Sequence, residues 1–158
     1  MRKVKLLNSQ NVDVLIVDSV GEHHIQQCIP DIASFSVLPV RNVIPVIASY
    51  SFVLRVLVHI IKLKRIQDAI IFSIVDVLKP KILITHIDNS NMMGKIHAEF
   101  PKKLTISVQN GFRSGFKYKR SAFYKSPVSV FYGFGDYEGR LLKRAGVNHG
   151  EYVSAGSL

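Results

Sequence analysis

Short apolar runs rich in valine and isoleucine alternate along this chain with stretches of helical periodicity. Residues Val12 to Val17 form the first such run, the pattern of a buried strand. It stops at Asp18-Ser19-Val20-Gly21, and His23 to Cys28 then suits a short helix closed by Pro30. Ser34 to Val40 predicts a second strand, with Pro39 near its end, where a missing backbone donor is tolerable. Ile47 to Lys64 predicts one long helix whose Arg55, His59 and Lys62 fall on one polar stripe. Gln67 to Leu78 predicts another helix, ended by Lys79-Pro80.

The pattern then repeats. Lys81 to His86 reads as a strand, Asp88-Asn89-Ser90 as a cap cluster, and Asn91 to Phe100 as the helix it starts. Strands follow at Leu104 to Gln109 and Val128 to Tyr132, then a helix from Tyr137 to Ala145 closed by Gly146. A last strand begins at Tyr152. Strands separated by helices imply crossover units, hence a mostly parallel sheet with helices on both faces. The expected class is α/β, Rossmann-like, as one domain over residues 1–158.

A length of 158 residues, 47% hydrophobic and 20% charged, suits one folded domain. Cys28 is the only cysteine, so neither a disulfide framework nor a cysteine metal cluster is expected, and a cytoplasmic setting follows. The basic start at Met1 to Lys5 leads into Asn8 to Asn11 rather than an apolar stretch, which argues against an export signal. Residues 43–61 approach the ~20 residues of a membrane span. They carry Pro45, Arg55 and His59, so a core or interfacial helix is the expected reading. The net charge of +10 favours phosphate-rich partners: nucleic acid, an anionic membrane or a diphosphate-bearing substrate.

In open parallel sheets, ligands bind beyond the carboxyl ends of the strands. Those ends carry Asp18 with His23 and His24, then His86 with Asp88 and Asn89. The later ones carry Gln109-Asn110-Gly111, Gly133-Phe134-Gly135-Asp136, and Gly156 and Ser157. Asn-Gly and Gly-x-Gly are also ordinary turn chemistry, and Asp88 or Asn89 also fits a plain helix cap. His86 with Asp88 suits a base and its orienting group, although exposed histidines commonly have no chemical task. The histidine spacing matches no metal motif, so neither metal nor cofactor is expected. The chain lacks a P-loop, a dinucleotide fingerprint and a Gly-x-Ser-x-Gly elbow. Between Arg113 and Lys125 five cations interleave with aromatics, a mixture suited to single-stranded nucleic acid, a membrane surface, or an ordinary solvated loop.

Five segments together resemble the amino-terminal half of bacterial surface-carbohydrate biosynthesis glycosyltransferases of the two-domain GT-B type. They are Ile16-Val17-Asp18, Ile87-Asp88-Asn89, Ser107 to Arg113, Phe131 to Asp136, and Val153 to Ser157. The resemblance implies transfer of a sugar from a nucleotide-sugar donor to a glycan or lipid-linked acceptor. It implies Asp18, or Asp88 with His86, as the base, and His23, Asn89, Asn110, Gly111, Arg113, Gly133, Gly135 and Ser157 along the substrate cleft. Arg113 would hold a phosphate or carboxylate. A second, donor-binding domain is expected as partner, since the chain stops at Leu158 where the first domain would hand over. The apolar helix around Phe52 to Ile61 is then expected to be more exposed than usual, and attachment to the inner face of the cell membrane is expected through residues 113–125. The alternatives are a basic nucleic-acid-binding module, the less favoured partner class, and a non-catalytic interaction domain.

Overall fold

The computed structural model describes residues 3–8, 10–40, 43–63, 65–87, 91–111, 127–147 and 149–156. Its strands are β1 (Lys3–Leu7), β2 (Val14–Val17), β3 (Phe35–Leu38), β4 (Val43–Ile47), β5 (Ile82–Thr85), β6 (Leu104–Val108), β7 (Val130–Gly133) and β8 (Glu151–Ser154). The helices are α1 (Glu22–Gln27), α2 (Tyr50–Leu63), α3 (Ile66–Leu78), α4 (Met92–Glu99) and α5 (Asp136–Arg144). Six strands form one parallel sheet in the order β3-β2-β5-β6-β7-β8. The fold is thus α/β and Rossmann-like.

Strand order decides where the helices go. From β2 the chain steps outward to β3, then returns past β2 to β5 and continues the other way to β8. Right-handed crossovers place α1 on one face of the sheet and the later helices on the other. The register bears this out. Leu15, Val17, Leu38, Leu83 and Phe131 share a face and pack with Ile71, Ile74, Met93, Ile96 and Leu142 of the later helices. Ile84, Ile106, Val108 and Tyr132 point to the opposite face, towards α1.

Local chemistry fixes the ends of these elements. Lys79 takes a left-handed conformation and its N–H bonds to Val75 O, closing α3 just before Pro80. At the end of α5, Gly146 has φ of 77° and donates to Lys143 O, while Val147 N–H reaches Leu142 O. Val147 and Leu142 are both buried, so the turn is sealed by an apolar contact as well as by hydrogen bonds.

Two strands were not foreseen. β1 and β4 pair in parallel as a separate two-stranded sheet, with Lys5 opposite Pro45. A two-stranded sheet has only edges, which is where a proline without an N–H is tolerated. The long helix accordingly starts at Tyr50, after Ser49, whose hydroxyl accepts from Phe52 N–H at 3.2 Å.

Of the polar stripe of α2, His59 faces inward, Arg55 lies at the edge and Lys62 is exposed. His59 is buried with Nε2 2.9 Å from Asp76 Oδ2, and Arg55 reaches the same oxygen at 3.3 Å. Asp76 therefore anchors α2 to α3 through charge-assisted contacts, leaving the apolar side of α2 outward.

His149, between α5 and β8, stacks on Phe131 with ring centroids 4.6 Å apart. Neither ring nitrogen has a hydrogen-bond partner among the described residues. Burial disfavours the imidazolium and lowers its pKa from 6.5 to about 4. A histidine held neutral in the fold adds stability that is complete above pH 6.5 and is lost as pH falls towards 4. Between these limits the wild type should lose on the order of 2–3 kcal/mol more than His149→Phe in denaturant titrations. Parallel stability profiles for the two proteins would show that this ring is not held neutral.

Candidate functional site

The chain reverses direction across the sheet between β2 and β5, the position at which open α/β sheets generally leave a crevice. Thr85 ties the two strand ends together. Its hydroxyl donates to Val17 O at 2.7 Å and accepts from Ile87 N–H at 3.1 Å. Asp18 and His86, the residues following these strands, are thereby held in fixed relation at the crevice.

Asp18 is buried and adopts φ of 80°, a left-handed conformation that Asp tolerates better than most residues. Its carboxylate accepts from Val20 N–H at 3.3 Å, and its own N–H donates to Leu38 O at 2.9 Å. The β2 exit is therefore a built turn. Gly21 follows with φ of 73° and begins α1. Any side chain there would strain the backbone, and a Cβ would collide with the His86 ring.

Three imidazoles gather beside this glycine. His23 and His24 lie 3.8 Å apart between ring centroids, and His24 lies 5.8 Å from His86. Neighbouring helical positions diverge by about 100° at the backbone, yet on this short helix the rings converge. Burial, and then the adjacent His24 and His23, lower the pKa of His86 below the ordinary histidine value. The shift favours the neutral ring. Among the described residues, no three histidine, cysteine or acidic side chains are grouped to hold a metal ion.

Beneath α1 lies a cavity of about 300 Å³. Ile84, Ile106, Val108 and Tyr132 form its apolar floor, with His24 and Cys28 on the α1 side. Gln109 stands at its rim, buried, with its amide nitrogen 2.8 Å from Glu138 Oε1 and 3.0 Å from Gly111 O. Its amide oxygen accepts from Phe134 N–H at 3.3 Å. Gln109 thus clamps the exits of β6 and β7 to the start of α5. In the sequence Gln109 belongs to the strand-end cluster Gln109-Asn110-Gly111, without a substrate role of its own, and the floor residues read only as buried strand. Their alternation along β5, β6 and β7 was the available signal, since every second residue shares a face.

The parallel sheet brings the ends of β2, β5, β6, β7 and β8 to one edge, so Asp18, His86, Asn110, Gly133 and Gly156 lie along it. His23 and Gly111 join them from α1 and the β6 exit. Gly133 and Gly135 also serve Tyr152. A Cβ on Gly133 would strike the phenol, and Tyr152 O–H donates to Gly135 O at 2.8 Å. Asp88, Asn89, Arg113, Ser157 and the basic aromatic segment 113–125 lie outside the described residues.

Replacing Gly21 by alanine should displace the His86 ring and cost about 1–3 kcal/mol of stability. The variant should melt earlier, and the imidazole NMR titration of His86 should move back towards the ordinary value. An unchanged melting temperature and titration would show that the glycine does not set this ring. Comparison with protein-family models, with characterised proteins and with solved structures found no match to this chain.

Proposed function

We propose that this chain is the acceptor-side domain of a GT-B-type glycosyltransferase, working with a second domain that presents a nucleotide-sugar donor. The supporting observation is the placement of the His86 ring against Gly21, one residue beyond the Thr85 that ties β5 to β2, where the strand order reverses. A hydroxyl of the glycan or lipid-linked acceptor would lose its proton to His86 as its oxygen bonds to the anomeric carbon. The diphosphate would leave with the electron pair of the broken bond. Asp18, at the adjacent strand end, is the alternative base. The cavity beneath α1 is large enough for one ring-sized apolar group and gives the acceptor a place to rest. Activity at the inner face of the cell membrane fits a lipid-linked acceptor and the charge of +10.

The test is NMR titration of the purified chain with a prenyl-diphosphate-linked sugar, and separately with free nucleotide diphosphates. Acceptor-induced shifts should cluster at His24, Ile106, Gln109 and Tyr132, and His86→Ala should lower the transfer rate of the completed enzyme by at least about 100-fold. Shifts at the same residues from nucleotide alone, with none from acceptor, would overturn the acceptor assignment and make this a nucleotide site.

A further inference from the structure

We propose that α2 is an interfacial helix that seats its outer face on an anionic membrane surface. Tyr50, Val53, Leu54, Leu57, Val58 and Ile61 are 44–81% exposed. They recur at the spacing of a single helical face, an arc of about 140° at 100° per residue. The opposite side of the helix holds Phe52 and His59, both buried, and Arg55, which reaches Asp76. The more apolar side of an amphipathic helix normally faces the core. Here it faces outward, and Ile66 at the start of α3, 64% exposed, adds to the patch. Exposed apolar surface on the order of several hundred Å² marks an interaction face.

Charge identifies the occupant. No aspartate or glutamate occurs between Asp31 and Asp68. Lys62 and Arg65 are exposed, and Arg55 lies half-buried on the same flank of the stripe as Lys62. A second copy of this chain, also of net charge +10, would bring like charges together at the rim of the patch. An acidic lipid leaflet satisfies both features, since the stripe enters the acyl boundary while the cations meet headgroups. Each such cation should raise partitioning about fivefold. No helix among the described residues is long and apolar enough to cross a membrane, so attachment through α2 would be in the plane of the surface. The sugar-transfer reading also expects a second domain near this helix, so a second domain that covers α2 and leaves vesicle binding unchanged by the triple variant would overturn the proposal.

The chain contains no tryptophan, so Leu57→Trp supplies a reporter without background. Its emission should shift to the blue on vesicles containing about one-third phosphatidylglycerol, and brominated lipid should quench it. Pure phosphatidylcholine should bind at least about tenfold more weakly, and salt near 0.5 M should weaken anionic binding. The triple variant Val53→Ser, Leu57→Ser, Ile61→Ser should keep its circular dichroism spectrum and lose vesicle co-sedimentation. Unchanged emission of the Leu57→Trp reporter on anionic vesicles overturns the proposal. So does undiminished sedimentation of the triple variant, which would place lipid contact elsewhere. A concentration-dependent dimer in size-exclusion chromatography that the triple variant abolishes would also overturn it, assigning the stripe to a second copy.

Discussion

Parallel pairing constrains everything else in this molecule. Two parallel strands cannot be joined by a tight turn, so connections between them generally cross a face, and their right-handed sense selects which one. Because the chain moves first from β2 to β3 and then turns back to β5, α1 stands alone on one face among the described helices while α2 to α5 build the core on the other. The crevice, the cavity beneath α1 and the accumulation of polar residues at one edge all follow from that single reversal. The Thr85 hydroxyl, bonded to Val17 O, secures the pair of strands at which the reversal occurs.

How far the sequence could be read depended on whether a feature was local. Apolar runs announced the central strands such as β2 and β5 because buried parallel strands need apolar side chains on both faces. Gly146 and Lys79-Pro80 marked helix ends because those signals act within one turn. β1 and β4 escaped notice because Lys3-Val4-Lys5 looks like a charged leader and Pro45 argues against a strand. Their pairing joins segments far apart in the chain, which no local window reveals. At the site, Asp18 and His86 were legible as strand-end residues. The cavity was not, because five separate elements supply its wall. The role of Gly21 was equally hidden, since its partner is the ring of His86.

The orientation of α2 illustrates a related limit. Its periodicity was plain, but two sides of the helix competed for the core. Hydrophobicity alone would bury Leu54, Leu57 and Ile61. Asp76 on α3 opposes this choice by holding His59 in the interior, while Arg55 reaches the same carboxylate from the edge. A charge-assisted contact to a partly buried carboxylate is stronger than a neutral one and favours the observed orientation. The apolar side is left to solvent or to a partner.

The two surfaces lie on opposite faces of the sheet, which restricts how they can cooperate. Phe52 of α2 packs into the core with Leu15 and Leu83, whereas the cavity opens among Ile84, Ile106 and Tyr132 on the other face. With α2 seated on a leaflet, α1 and the cavity would point away from the lipid. A membrane-anchored acceptor would then approach along the carboxyl edge, with its headgroup at the crevice and its tail in the bilayer. The apolar lining beneath α1 would meet a ring or substituent at the polar end of that molecule, because the lipid tail is held on the far side. An acceptor lacking its long tail should therefore still occupy the cavity, and vesicle attachment through α2 should survive substitutions of Ile106 or Tyr132.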